Sequence, residues 1–167
     1  SMLFRPHIWI KNVLAIDRDF VEKNGFKGLV LDLDNTLSMH GNPAAENGIF
    51  EWLDSMRALG IKMVVVSNNT KARVAPLAAE LGLEFFSFGC KPLPFGINKA
   101  VKLMGLPKKE VAVVGDQIFT DVLGGNFSGI RTVLVEPFHL EDKIGFRFKR
   151  KLESVFFKRD YSKLERK

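Results

Sequence analysis

With 167 residues the chain has the length of one domain around one hydrophobic core, and 46% hydrophobic with 26% charged residues is the balance of an ordinary globular protein. The formal charge of +6 sits at the ends: residues 139–167 hold ten basic against five acidic side chains and residues 1–27 five against three, while residues 28–138 hold ten against eleven. The single cysteine, Cys90, excludes an intrachain disulfide and fits a reducing compartment, and no run reaches the ~18 uninterrupted apolar residues of a spanning helix.

Ser1 ahead of Met2 reads as a processing scar and is set aside. Arg5, Pro6 and Lys11 break the apolar N-terminus early, against the build of a signal peptide. Trp9, Val13, Ile16 and Phe20 recur at i, i+4, i+7 and i+11, which predicts an N-terminal helix over about 7–24 packed on the core. Gly28–Leu33 is a β-type run ending in carboxylates. Residues 46–59 carry a helical stripe (Ile49, Phe50, Leu53, Met56, Leu59) that stops at Gly60. Ile61–Val66 is a continuous apolar run, as in a strand covered on both faces. A helix over about 71–81 ends at Gly82, and a short strand follows at Glu84–Ser87.

Residues 94–104 form the next helical pattern, closed by Gly105 and Pro107. Val111–Val114 is a fourth strand, 118–125 a short helix and Ile130–Val135 a fifth strand. This alternation predicts an α/β fold of βαβ units, a parallel sheet of five strands with helices on both sides. Over about 139–167, Ile144, Phe148, Leu152, Val155 and Phe156 make a stripe flanked by Arg147, Lys149, Arg150, Lys151 and Lys158. Such a basic amphipathic helix suits an anionic bilayer surface; a docked terminal helix with a solvated basic face satisfies the same pattern. Nucleic acid is not expected as a partner, because no recognised RNA-binding motif accompanies the charge.

In open α/β sheets ligands bind beyond the carboxyl ends of the strands, and the polar groups of this chain gather there. Asp32 and Asp34, spaced i, i+2 in Asp32-Leu33-Asp34-Asn35-Thr36, project to one side of a strand end. Two carboxylates that close repel unless a cation joins them, and oxygen ligands suit Mg²⁺; a strand running into an Asp/Asn turn has the same composition. Ser67-Asn68-Asn69 offers a hydroxyl and backbone N–H groups to phosphate oxygens, or simply an N-cap and turn. Lys91 could neutralise a transferring phosphoryl group, or be an ordinary solvated lysine. In Gly115-Asp116-Gln117-Ile118-Phe119-Thr120-Asp121, Gly115 permits a tight turn, Asp116 is placed to complete a metal site, and Asp121 could orient it from behind. His7, His40 and His139 form no ligand-spaced cluster.

Together the four segments, over about residues 28–135, resemble the haloacid dehalogenase superfamily of phosphohydrolases, whose motifs are DxDxT, a Ser/Thr after strand two, a Lys, and GDxxxTD. The resemblance implies a Rossmann-like three-layer α/β/α core in a single domain. It implies Asp32 as nucleophile forming an aspartyl-phosphate, and Asp34 as acid and base for the leaving group and the water. Mg²⁺ would be held by Asp32, the Asp34 carbonyl and Asp116. Ser67, Asn68 and Lys91 would hold phosphate, with Asp121 and Thr36 supporting the ligands from outside.

Members of that superfamily usually carry a cap, inserted after the first strand or after the third. Only some eleven residues separate Asp34 from Glu46, and the twenty from Lys91 to Val111 are filled by one helix, so neither connection holds a cap. The wording of the first motif, Gly-Leu-Val-Leu-Asp-Leu-Asp-Asn-Thr-Leu, and of Val-Gly-Asp-Gln-Ile-Phe-Thr-Asp resembles the capless subclass IIIA branch of YqeG-type proteins and mitochondrial-type phosphatidylglycerophosphate phosphatases. That branch implies removal of the terminal phosphate from phosphatidylglycerophosphate, an anionic phospholipid, giving phosphatidylglycerol; with the basic ends, a cytoplasmic enzyme peripheral on the inner face of the membrane is expected. A capless phosphatase of soluble esters or phosphoproteins, and a ribosome- or RNA-associated interaction protein on the same scaffold, remain open alternatives.

Overall fold

The fold is that of a computed structural model, which describes residues 2–34, 36–37 and 48–136. The expected basic helix over 139–167, most of the connection between Asp34 and Glu46 (Asn35 and residues 38–45, His40 among them) and His139 lie outside the described residues.

Among the described residues, six parallel strands form one sheet in the order β1-β6-β5-β2-β3-β4. They are β1 (Ile8–Ile10), β2 (Gly28–Leu31), β3 (Lys62–Val66), β4 (Glu84–Phe86), β5 (Val111–Gly115) and β6 (Arg131–Val135). The helices between them are α1 (Arg18–Asn24), α2 (Ile49–Ala58), α3 (Lys71–Leu81), α4 (Phe95–Met104) and α5 (Leu123–Phe127). Central β2 and β5 are buried at every position, as both faces of a parallel sheet are covered by helices.

The expected N-terminal helix and five-strand count need correcting. Ile8–Ile10 is a strand, paired with β6 from Ile8↔Val133 to Ile10↔Val135, and supplies the sixth member. Asn12 caps a short 3-10 turn over Val13–Ala15, and Asp17 caps α1 by accepting the Phe20 N–H at 2.8 Å. Trp9, Val13, Ile16 and Phe20 are all buried on the core, as the stripe implies, but along a strand, a turn and a short helix. The expected short helix at 118–125 is also different: a π-turn over Ile118–Val122 leads into α5. The N–H groups of Asp121 and Val122 share the Gln117 carbonyl at 2.8 and 3.3 Å, which widens this turn.

Alternating strand residues divide the core between the two faces. Leu29, Leu31, Val65, Val114 and Val133 pack with Phe20, Trp52, Leu53, Met56, Val74 and Leu81 from α1, α2 and α3. Val30, Val64, Val66 and Val113 pack with Ile97, Ala100, Val101 and Met104 from α4. Gly125 of α5 lies against Val113 and Thr132 on this second face. The result is the three-layer sandwich that the sequence predicts.

One buried polar contact ties the N-terminal segment to α2: Trp52 Nε1 donates to the Ile16 carbonyl at 2.9 Å. Trp52→Phe keeps most of the packing but strands that carbonyl, so urea titration should give a loss of about 1–2 kcal/mol. An unchanged midpoint would mean that the contact is dispensable.

Candidate active site

The carboxyl ends of β2 and β5 lie side by side because the strands pair from Gly28↔Val111 to Leu31↔Val114. The Asp32 N–H continues that ladder by donating to the Val114 carbonyl at 2.9 Å. Asp32 and Asp116 therefore meet at adjacent strand tips. Gly115 is needed there for room, because a Cβ at that position would fall onto the Asp121 carboxylate. The π-turn after it brings Asp121 back to the sheet, where its Oδ2 accepts the Gln117 N–H at 3.2 Å.

Lys91 enters from the β4–α4 connection and is buried between these acids. Its Nζ donates to Asp32 Oδ1 at 3.1 Å and to Asp121 Oδ1 at 2.6 Å, with the lysine side chain 3% exposed. The connection is fixed by Asn68, whose Oδ1 accepts the Lys91 N–H at 2.8 Å while its Nδ2 donates to the Lys91 carbonyl at 2.7 Å. The Asn68 side chain is thereby committed, leaving only its backbone N–H to meet a phosphate. Close backbone contact holds the same connection: a Cβ on Gly96 would sit 2.6 Å from the Gly89 carbonyl oxygen.

Ser67, at the end of β3, is buried and its Oγ accepts the Asn69 N–H at 3.1 Å, which leaves the hydroxyl hydrogen available to a ligand. Asp34 stands across the basin, with Asn69 Nδ2 3.4 Å from its Oδ2 and Arg73 Nη2 3.3 Å from its Oδ1. Asp32, Asp34, Ser67, Asn68, Asn69, Lys91, Gln117 and Thr120 line one open basin. Arg73 is a member of the site that the sequence motifs do not single out. Its place three residues after the N-cap Thr70, in the first turn of α3, carries the signal.

The acidic cluster brings together the two expected carboxylate ligands, Asp32 and Asp116, and adds Asp121. Carboxylate oxygens of Asp32, Asp116 and Asp121 lie within 4.8 Å of one another, whereas Asp34 turns its carboxylate to Arg73 and Asn69. Three carboxylates against one ammonium leave negative charge uncompensated. Burial, with Asp121 alongside, pushes Asp32 well above the usual carboxylate range, although Lys91 pulls it down. Burial and Asp121 likewise raise Asp116 to about 6. Burial alone would lower Lys91, but Asp121 and Asp32 outweigh it and hold the ammonium charged. Asp116 Oδ1 and Thr36 Oγ1 are buried with no hydrogen-bond partner among the described residues. An orphaned carboxylate oxygen in an over-negative cluster fits a divalent cation bound by hard oxygen ligands.

Residues 46–129 match the family model for haloacid dehalogenase-like hydrolases, and residues 1–82 match that for the mitochondrial PGP phosphatase. A probable phosphatase, YqeG of Bacillus subtilis (strain 168), is 39% identical over 98% of this chain and 93% of its own length. The chain belongs to the haloacid dehalogenase-like hydrolase family. This hydrolase is also 30% identical to phosphatidylglycerophosphate phosphatase 1, chloroplastic/mitochondrial, of Arabidopsis thaliana, over 92% of the chain and 47% of the plant protein. It spans about half the length of that relative and of a similar Chlamydomonas reinhardtii protein. NagD from E. coli K-12 superposes with a TM-score of 0.57 over 79% of the hydrolase and 93% of its own chain, at 16% identity, a likeness of fold.

The raised carboxyl of Asp116 has a consequence for stability. Between its ordinary value of 3.8 and its folded value of about 6, the unfolded chain releases the proton while the folded protein keeps it. Stability of the metal-free protein therefore falls as pH rises through that window. In EDTA, Asp116→Asn should flatten this decline and stand on the order of 1–2 kcal/mol above wild type near neutral pH, read by urea unfolding. A variant less stable than wild type there would contradict the assignment.

Proposed function

We propose that this phosphatase removes the terminal phosphate of phosphatidylglycerophosphate through a phosphoryl group carried on Asp32. The observation that carries the chemistry is Asp32 at a strand tip, paired with the buried Lys91 and facing Asp34 across an open basin.

Asp32 attacks phosphorus and the ester oxygen leaves, so one hard displacement becomes two easier ones. Lys91 holds Asp32 in place through its Oδ1 and offers its remaining hydrogen to a transferring oxygen. The Ser67 hydroxyl and the Asn68 backbone N–H take the other phosphoryl oxygens. Asp34, steadied by Asn69 and Arg73, gives a proton to the departing glycerol oxygen and later takes one from the water that cleaves the aspartyl-phosphate. Asp32, Asp116 and the Asp34 carbonyl would hold Mg²⁺, with Asp121 supporting through Lys91 and the Gln117 N–H. The bound cation would offset the repulsion between the carboxylate nucleophile and the phosphate dianion.

The lipid substrate is supported by two things. The relatives with that activity in their names align over most of the chain. The connection from β4 to β5 holds only α4 and a 3-10 turn, so nothing inserted there covers the basin.

Phosphate release should be measured from phosphatidylglycerophosphate in mixed micelles, beside a panel of soluble phosphomonoesters. Lipid turnover should require Mg²⁺, exceed that of every soluble ester, and fall by roughly a thousandfold or more in Asp32→Asn. Turnover of soluble esters alone would keep the chemistry and remove the lipid. No turnover of any ester would remove both.

A further inference from the structure

Single exposed apolar side chains are ordinary on a protein surface, whereas a group of them around a polar basin marks an interaction surface. In this enzyme the connection that carries Lys91 also carries Phe88, Leu93 and Phe95, which are 62%, 52% and 64% exposed. Phe119, 66% exposed, lies between Gln117 and Thr120, both of which line the basin. Phe4 packs edge-on against Phe119 with ring centroids 5.7 Å apart, bringing Met2, 89% exposed, to the same flank. That N-terminal turn is tethered to the body by Asn126, whose Nδ2 donates to the Leu3 carbonyl at 2.6 Å.

These side chains are presented on a stiff frame. Asn68 clamps both backbone groups of Lys91, and Gly96 packs directly on Gly89. Phe88 and Cys90 are held at φ 49° and 57°, a left-handed conformation that non-glycine residues adopt only when their surroundings fix it. Across the basin the first turn of α3 supplies an exposed Lys71 beside Arg73. The mouth therefore has an apolar flank on the loops after β4 and β5, and a basic flank on α3.

We propose that this rim docks the enzyme on an anionic phospholipid bilayer, with Phe88, Leu93, Phe95 and Phe119 entering the interface and Lys71 meeting headgroup phosphates. The inference rests on the lipid-substrate reading and adds to it the surface by which the substrate is reached. A bilayer interface offers apolar depth and negative charge together, which matches both flanks, and aromatic side chains favour that depth. A phosphomonoester in the headgroup layer can reach Asp32 only if the basin faces the bilayer, and the rim sets that orientation. A second copy of the chain is a poorer occupant, since a mouth-to-mouth pair would close both basins.

The test uses the full chain with vesicles of phosphatidylglycerol and phosphatidylcholine, read by co-sedimentation. The double variant Phe95→Ser/Phe119→Ser should lower the vesicle-binding constant roughly tenfold or more. It should lower turnover of vesicle-borne phosphatidylglycerophosphate in parallel and leave p-nitrophenyl phosphate turnover unchanged. Leu103→Ser, a 53% exposed residue at the far end of α4, should change none of these. In Phe119→Trp, indole emission should shift to the blue on adding the vesicles and be quenched by brominated acyl chains. Vesicle binding unaltered in the double variant would overturn the proposal, as would a concentration-dependent dimer that the same substitutions dissociate. Rim-dependent binding by an enzyme that leaves phosphatidylglycerophosphate intact would support the docking surface and remove the substrate assignment alone.

Discussion

A lysine ammonium sealed between two carboxylates organises the catalytic end of this protein. Lys91 reaches Asp32 and Asp121 at 3.1 and 2.6 Å from a side chain that is 3% exposed, so neither charge can relax into water if its partner is lost. The surrounding backbone is arranged to make that meeting possible. Asn68 fixes the lysine's peptide groups, Gly96 lets its loop lie close, the π-turn returns Asp121 to the sheet, and Gly115 leaves space for it. Asp116 then enters a cluster with more negative charge than Lys91 can balance. Metal-free, that cluster holds protons above their ordinary affinity; with a divalent cation the same imbalance becomes binding energy. Function here is built from locally unfavourable electrostatics, offset by the buried strands beneath.

Those strands also explain which features are legible in the sequence. Apolar runs at 28–31, 62–66 and 111–115 end where polar residues begin, so the residue pattern alone puts Asp32, Ser67 and Asp116 at strand tips. Thr70 and Gly82 bracket α3 because a side-chain cap and a left-handed glycine leave it little choice. The N-terminal segment misleads for a physical reason. Trp9, Val13, Ile16 and Phe20 are spaced as on a helix, yet Ile8–Ile10 gains more by completing the sheet edge beside β6. Periodicity reports burial, and burial alone does not distinguish those outcomes.

Contacts across loops are out of reach for a different reason. Asn68 and Lys91 lie twenty-three residues apart, and their mutual clamp depends on how β3 and β4 pair. The widening of the turn at 118–122 and the approach of Arg73 to Asp34 likewise depend on three-dimensional register. The capless form, by contrast, follows from the number of residues between motifs. A basin without an inserted cover needs water excluded by something else, and under the proposed lipid reading a membrane-borne substrate pressed against the apolar rim would supply that exclusion.

The most direct test of the central chemistry is to look for the phosphoryl group on its carrier. With p-nitrophenyl phosphate, whose leaving group needs no proton, Asp34→Asn should slow the water step more than the attack, because it removes the base that activates water. After brief exposure to substrate and an acid quench, mass spectrometry of the digested variant should find a phosphoryl adduct on the peptide holding Asp32 and on no other. An adduct elsewhere, or none while single-turnover phosphate release persists, would contradict Asp32 as the nucleophile.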